Sequence, residues 1–231
     1  MDCKQTSPTL WLDCGGNPQS LRKTRDNAKW PTFIKVTAIK DLNPIYDWLN
    51  SGQPAEHAFV KKCKEFNIAL PKEPFQSVVL DGVTELQRIR VSEIVGYSNA
   101  KPGDDIKRAE IQHWGDALSS VMLVARRFYD LPLTVVFTCL EKTEQDGEGG
   151  PITYTPWLWG QARNELPGYS LLTIRLCRFN RAPAKDRATV KGDAYNLAYF
   201  TETGRFLAKD QYSTGLQIVA NPTFEQVLAK L

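Results

Sequence analysis

The sequence predicts an α/β fold in which a mostly parallel sheet is covered by helices. Short apolar runs recur along the chain, and several are almost continuously apolar, as strands buried on both faces of a sheet are. Segments with helical periodicity lie between them. Hydrophobic residues make up 42% of the 231 residues and charged residues 24%, a composition that can build a sizeable core. We expect one domain over residues 1–231.

Six runs are predicted to be strands because they combine β-branched or aromatic residues with turn signals at their ends. They are TLWLD (9–13), TFIKVTAI (32–39), SVVLD (77–81), LTVVFTCL (133–140), LLTIRLC (171–177) and NLAYFTE (196–202). The turn TGR at 203–205 indicates that the C-terminal strands form an antiparallel pair appended to the sheet.

Helical periodicity occurs at 41–50, 55–66, 84–97, 106–129 and 223–230. The longest of these segments, 106–129, has a single apolar stripe that we expect to face the core. The stripe consists of Trp114, Leu118, Val121, Met122, Ala125 and Phe128. The acidic, glycine-containing run EKTEQDGEGGP (141–151) predicts an exposed loop.

Charge and cysteine content exclude some classes of protein and leave others open. The net charge of +3 is compatible with nucleic-acid contact but does not require it. The five cysteines are widely spaced and only two histidines are present, so no metal-ligand spacing occurs. Cys139 and Cys177 lie in apolar runs and are expected to be buried thiols. With no signal-peptide pattern and no apolar run of about 18 residues, we expect a cytoplasmic protein without membrane contact.

Three predicted strands end in a polar side chain. Asp81 follows SVVL, Asp13 follows TLWL and precedes Gly15 and Gly16, and Thr138 ends LTVVFT. Ligands of open α/β sheets bind outside the carboxyl ends of the strands, where a carboxylate can order water around magnesium. Each pattern alone also fits an ordinary turn. We expect the three tips to converge on one crevice.

The donors that a phosphate group needs are harder to find. The phosphate-binding loop G-x-x-x-x-G-K-S/T holds phosphates with backbone N–H groups and a lysine. None of the fifteen glycines is followed by lysine, and G-x-G-x-x-G does not occur.

Five segments occur in an order that is specific as a set, although each alone is weak. They are LWLDCGGNPQSL, FQSVVLDGVTELQ, WGDALSSVMLVARRFYDLPLTVVFTCLEK, PWLWGQARNELPGYSLLTIRL and AYFTETGRFLAKDQYSTGLQIVANPTFEQVLAKL. From about residue 9 to the C-terminus, the chain resembles the RecA-like ATPases of tailed bacteriophages. This AAA-type phage nucleotide-binding group includes single-strand-annealing recombination proteins.

The resemblance implies a RecA-like P-loop NTPase core that binds ATP and Mg²⁺ at the carboxyl edge of its sheet. Asp81 is similar to the magnesium-associated Walker B aspartate, and Thr138 to the polar tip of the next sheet strand, with Asp13 beside them. Lys209 is similar to the lysine of a C-terminal Lys-Asp-Arg motif, from which a cation could reach phosphate. Glu85 could act as a substitute catalytic base, or it could instead favour the start of a helix.

The resemblance also implies partners. Single-stranded DNA is expected near the loops after the core strands, together with a homo-oligomer and a phage single-strand-binding protein, in the cytoplasm of the host cell. The cations that could contact the DNA are Arg126, Arg127, Lys142, Arg163, Arg175, Arg178 and Arg181.

The chain departs from the family pattern at three places. The family places a strand and the Walker A loop before the strand matched by TLWLD, and here only eight residues precede that strand. Gly15 stands where the family has a glutamate, and Gln211 where it has an arginine suited to stabilising transition-state charge. The chain is therefore either a shortened ATPase, lacking its first strand and phosphate loop, or a diverged relative without hydrolysis.

Three functions remain open at this stage. The first is an ATP-binding recombination protein that binds single-stranded DNA and is deficient in hydrolysis. The second is an active ATPase, or a protein that binds ATP, that uses another loop for phosphate. The third is a non-catalytic scaffold that keeps the fold, with Trp157 and Trp159 as anchors for a protein partner.

Overall fold

A computed structural model of the chain describes residues 8–15, 32–97, 109–179, 195–223, 226–227 and 229–230. The chain divides into two compact units. The parallel unit contains Asp2–Leu140 and Trp157–Arg163, and the antiparallel unit contains Glu141–Pro156 and Asn164–Leu231. The prediction of a single domain stays a prediction.

The parallel unit is built on a four-stranded sheet. Its strands are β1 (Thr9–Asp13), β2 (Thr32–Lys35), β3 (Ser77–Asp81) and β4 (Thr134–Thr138). They lie in the order β2-β1-β3-β4, and every pair is parallel. β1 and β3 are central and almost entirely buried, which is why their sequences are nearly continuous in apolar residues.

Among the described residues, four complete helices belong to the parallel unit. They are α1 (Leu42–Asn50), which follows a 3-10 turn at Ile39–Asp41, α2 (Ala58–Glu65), α3 (Val83–Ile94) and α4 (Ile111–Tyr129). The buried face of α4 includes Val121, Met122, Ala125 and Phe128, which confirms most of the predicted stripe. None of the helices in the described part of the chain is long and apolar enough to cross a membrane.

An aromatic cluster packs α1 and α2 against the start of β3. The ring of Trp48 lies 4.8 Å from that of Phe59 and 5.9 Å from that of Phe75, and all three side chains are buried. Gln53 receives the N–H of Phe75 and donates to its carbonyl, so the backbone entering β3 is fixed by a side chain. This packing holds β3 in place and with it the strand end at Asp81.

The described residues of the antiparallel unit form short strands, part of one longer helix and helical residues at 226–227. Its elements are β5 (Glu141–Gln145), β6 (Ile152–Pro156), α5 (Ala162–Tyr169, shared with the parallel unit), β7 (Leu172–Thr173), β8 (Arg175–Phe179), β9 (Tyr195–Tyr199), β10 (Lys209–Asp210) and β11 (Ile218–Ala220). β5 and β6 form a hairpin, β7 pairs with β10, and β9 lies between β8 and β11, all antiparallel.

Arg175 joins the hairpin to β8 within the antiparallel unit. Its guanidinium donates two hydrogen bonds to the carboxylate of Glu141, at 2.5 and 3.0 Å. The same group lies over the rings of Tyr154 at 4.0 Å and Phe206 at 4.7 Å. The hydrogen bond to Glu141 raises the pKa of Arg175, so the guanidinium stays charged. Arg175 is therefore engaged in holding this unit together.

The structure confirms the α/β class, the parallel sheet flanked by helices and the antiparallel C-terminal strands, and it corrects several details. Residues 141–145 form β5, so the loop prediction was wrong there. The run has no apolar alternation, and its partner strand β6 supplies the pairing. LLTIRLC is interrupted at Ile174 and forms two strands.

Other predicted bounds also change. The helix predicted from residue 106 begins at Ile111, and 106–108 lie outside the described residues. The helix predicted at 223–230 is only partly described. Cys139 is exposed and Cys177 half-buried, because Cys139 follows the end of the edge strand β4. Of the four cysteines that the structure describes, Cys14 and Cys63 are buried.

Candidate nucleotide and metal site at the carboxyl edge of the sheet

Three polar strand ends meet at one edge of the parallel sheet. Asp13 pairs in register with Asp81, and Asp81 with Thr138. Because the strands are parallel, all three side chains belong to the carboxyl edge, where α/β proteins bind ligands. The arrangement brings together the residues that the sequence placed in one crevice.

The Asp81 carboxylate is held on both sides by neighbouring strands. The hydroxyl of Thr138 donates to Oδ1 at 2.5 Å, and the indole N–H of Trp11 donates to Oδ2 at 3.1 Å. The Thr138 oxygen in turn accepts the backbone N–H of Gly82 at 2.9 Å. Hydrogen bonds to a charged acceptor are stronger than neutral ones, so this set fixes the orientation of the carboxylate.

Trp11 was not identified from the sequence as a site residue. It lies two positions before Asp13 on β1, pairs in register with Val79, and so reaches the strand end diagonally. Its spacing from Asp13 could have placed both on the same face of β1. Its contact with Asp81 depends on the register between two strands and has no local sequence signal.

α3 begins directly at the site. Gly82 precedes the helix with φ of +97°, a left-handed conformation that glycine adopts without strain. Glu85 lies in the first turn, where a carboxylate is favoured by the helix dipole. Its carboxylate forms an ion pair with Arg88 at 2.5 Å. Glu85 therefore lies near the edge, but its charge is already engaged.

The edge is an acidic environment. Burial, together with the smaller effects of the charges of Asp13, Asp81 and Glu85, raises the pKa of the Cys14 thiol to about 12. Cys14 is therefore a neutral thiol at physiological pH and not a nucleophile. A polyphosphate would be repelled by these carboxylates unless a cation lay between them.

The residues present fit a magnesium ion that shares its ligands with phosphate. Mg²⁺ keeps several waters and is commonly bound through one or two carboxylates plus phosphate oxygens. Each Asp81 oxygen has a second lone pair beyond the one used by Trp11 or Thr138, and Asp13 is its neighbour in register. Over the described residues, no group of three or more His, Cys, Asp or Glu side chains could hold a metal by itself.

The predicted DNA-contacting cations are distributed over both units. Arg126, Arg127 and Arg163 belong to the parallel unit, and Lys142, Arg175 and Arg178 to the antiparallel unit, while Arg181 lies outside the described residues. The Arg127 guanidinium donates to Asn43 at 2.8 Å and to Asp47 at 3.1 Å, tying α4 to α1. Lys142 pairs with Glu144 at 3.1 Å. A nucleic-acid role for these residues stays a prediction.

Lys209 also belongs to the antiparallel unit. Its ammonium donates to the carbonyl of Gly168 at 2.9 Å and to that of Pro167 at 3.4 Å. Both carbonyls lie at the C-terminal end of α5, where a cation is favoured by the helix dipole. The structure thus gives Lys209 a helix-capping contact, and its phosphate role stays a prediction.

A parallel sheet with carboxylates and a hydroxyl at its carboxyl edge, flanked by helices, is the arrangement of an α/β nucleotide-binding protein of the RecA-like NTPase type. A family model described as "AAA domain" matches residues 11–212, and the chain belongs to this family. Membership indicates a nucleotide-binding, ATPase-like protein. No curated protein matches the chain significantly, and no solved structure does.

Proposed function

We propose that this protein binds ATP with Mg²⁺ at the carboxyl edge of the parallel sheet. The observation that supports the proposal most is the register of Asp13, Asp81 and Thr138 on three adjacent strands, with Asp81 oriented from both sides. Family membership supports it independently. Asp81 would hold the ion or its bound water, and Asp13 would supply a second carboxylate.

A bound Mg²⁺ would reduce the repulsion between ATP and the carboxylates of this edge. When bound, Mg²⁺ supplies positive charge that neutralises the β and γ phosphates. The carboxylates of Asp13, Asp81 and Glu85 make the carboxyl edge negative. Free ATP should therefore bind poorly there, and Mg-ATP should bind better.

We propose further that hydrolysis is weak. Gly15 lacks the carboxylate that could polarise an attacking water, and Gln211 lacks the fixed charge of an arginine. Glu85 could replace the missing carboxylate, but its ion pair with Arg88 would have to open first.

The biological setting that we propose is DNA recombination or replication in a phage-infected cell. The protein would bind single-stranded DNA as a homo-oligomer and work with a single-strand-binding protein. The support is the motif order along the chain and the net charge of +3. Fluorescence polarisation with a labelled oligonucleotide at low salt, where phosphate contacts are strongest, tests the DNA part.

A thermal-shift assay with Mg-ATP tests the nucleotide site. A ligand at a hundred times its Kd stabilises the folded state by about 2.7 kcal/mol, which raises Tm by several degrees. Asp81→Asn should abolish the shift, whereas Asp116→Asn, an exposed position on α4, should retain it. No shift of the unaltered protein at millimolar Mg-ATP would overturn the proposal. Phosphate release in the same samples should stay near background.

A further inference from the structure

The segment Trp157–Gly160 places two tryptophans on the surface of the parallel unit. Leu158 is 4% exposed, while Trp157 and Trp159 on either side of it are 42% and 47% exposed. The buried Leu158 side chain anchors the segment, while the tryptophans on either side of it stay partly exposed. Large aromatic groups exposed together commonly mark a binding surface.

Each exposed indole is supported on one face by another side chain. The ring of Trp114 stacks on that of Trp159, with centroids 4.6 Å apart and planes inclined by 27°. The guanidinium of Arg88 lies 4.7 Å from the centroid of the Trp157 ring. With these contacts in place, Trp157 and Trp159 remain 42% and 47% exposed.

The backbone that carries the rings is fixed by hydrogen bonds. The N–H of Trp157 donates to the carbonyl of Leu140 at 2.7 Å, and the N–H of Trp159 donates to Oε1 of Gln87 at 2.9 Å. Gln87 is buried in α3, at 3% exposure. Rings that are already ordered lose little conformational entropy when a ligand binds.

We propose that Trp157 and Trp159, supported by Arg88 and Trp114, form a stacking platform for the bases of single-stranded nucleic acid. Flat, rigid aromatic faces beside a guanidinium are what sequence-tolerant single-strand binding uses, because every base has a π face. The predicted cations would contact phosphate groups, whereas the platform would contact bases. The choice of single-stranded nucleic acid as the partner rests on the proposed function.

The charges near the platform shape the expected binding. Arg88 contributes a cation that is 43% exposed, but it shares its charge with Glu85. Because this charge is partly offset, we expect base stacking to contribute to the affinity beside the contacts with phosphate.

The experiment compares two labelled oligonucleotides of equal length and charge. One is an oligothymidylate of about 20 nucleotides, and the other is the same backbone with abasic positions throughout. The full chain should bind the first, and the abasic strand should bind at least about fivefold more weakly. Trp157→Ala and Trp159→Ala should each weaken binding to oligothymidylate by about fivefold or more, while Trp157→Phe should keep most of the affinity.

The matched control is Tyr129→Ala, an aromatic residue of the parallel unit with a similar exposure of 43%. It should retain the affinity for oligothymidylate. Equal binding of the abasic strand would overturn the platform, since phosphate contacts alone would then explain binding. Unchanged affinity in both tryptophan variants, with Tm retained, would overturn it as well.

The Mg-ATP thermal shift of the same variants separates this inference from the nucleotide proposal. Trp157→Ala should keep the full shift while losing affinity for oligothymidylate. Loss of the ATP shift with unchanged oligonucleotide affinity would assign the rings to the nucleotide and overturn the platform. If the unaltered protein shows an ATP shift but binds no oligonucleotide, the platform is overturned and the nucleotide site stands.

Discussion

The indole N–H of Trp11 donates to Oδ2 of Asp81 across 3.1 Å, so a side chain of β1 holds the carboxylate at the end of β3. The two residues lie 70 positions apart in the sequence, and their hydrogen bond fixes the orientation of the Asp81 carboxylate. A carboxylate that is already oriented does not lose freedom when it receives a cation, and this orientation should favour binding.

Replacing Trp11 by Phe should reduce the Mg-ATP thermal shift. The change keeps an aromatic ring but removes the donor to a charged acceptor, and hydrogen bonds of this kind contribute about 1.5–3 kcal/mol. Trp48→Phe is the matched control, because it makes the same truncation at a buried tryptophan whose N–H donates to the neutral carbonyl of Pro54. Both variants should lose stability, but only Trp11→Phe should lose the nucleotide shift. Equal nucleotide shifts in the two variants would count against a site at Asp81.

Replacing Thr138 by Val should destabilise the protein by about 1–3 kcal/mol, measured by denaturant unfolding. Valine has nearly the same shape, but it neither donates to Asp81 nor accepts the N–H of Gly82. Thr138→Ser keeps the hydroxyl and should restore most of the loss. Thr134→Val, at the other end of β4, is the control and should change stability little. If the Thr138→Val variant is as stable as the control, these hydrogen bonds make no net contribution to the free energy of unfolding.

Replacing Gly82 by Ala should cost about 1–2 kcal/mol, because an L-residue is strained in the left-handed conformation. The added Cβ would meet its neighbours at 3.6 Å, an ordinary contact, so backbone strain is the dominant cost. Gly115→Ala should act in the opposite direction. Gly115 lies within α4 with open space around it, and alanine there should stabilise the helix by about 0.5–1 kcal/mol. Thermal melting should show a lower Tm for Gly82→Ala and a higher Tm for Gly115→Ala than for the unaltered protein.

The Cys14 thiol should resist alkylation at pH 8, whereas the exposed thiol of Cys139 should react quickly. Only the thiolate is nucleophilic, and the pKa of Cys14 is raised from 9.0 to about 12. Peptide mapping by mass spectrometry after timed exposure to iodoacetamide gives the rate at each position. Comparable rates at Cys14 and Cys139 would contradict the buried, acidic environment described for Cys14.

The same pKa shift predicts a stability change at alkaline pH. The folded state holds the Cys14 proton more tightly than the unfolded state. The contribution of this difference to the free energy of unfolding is therefore fully present below pH 9. It declines as the pH rises from about 9 toward 12. The unfolding free energy of the unaltered protein should therefore fall relative to Cys14→Ala above pH 9, and parallel curves would refute the shift.

The strand ends could be predicted from the sequence because each is a local pattern. An apolar run followed by Asp13, Asp81 or Thr138 marks a buried strand and its polar tip, and parallel strands place such tips at one edge. β5 could not be predicted in the same way. It has no apolar alternation, and pairing with β6 makes it a strand.

Side-chain partners that are distant in sequence also escaped prediction. Arg127 is a surface cation by its sequence context, yet it contacts Asn43 and Asp47, which lie 84 and 80 positions away. Lys209 contacts carbonyls at the end of α5, a helix that the sequence did not predict because Pro167 and Gly168 interrupt its pattern. Contacts of this kind follow from the tertiary arrangement and not from spacing along the chain.

The order β2-β1-β3-β4 has a consequence for how fast the protein can fold. The hydrogen bond between Thr9 and Ser77 joins residues that lie 68 positions apart, and that between Asp81 and Thr138 joins residues 57 positions apart. Each pairing must close a long loop before its contacts stabilise it, which slows folding. During synthesis the edge cannot be complete until residue 138 has left the ribosome. The carboxyl edge is therefore a late product of folding, and recovery of Mg-ATP binding should lag behind the formation of the helices.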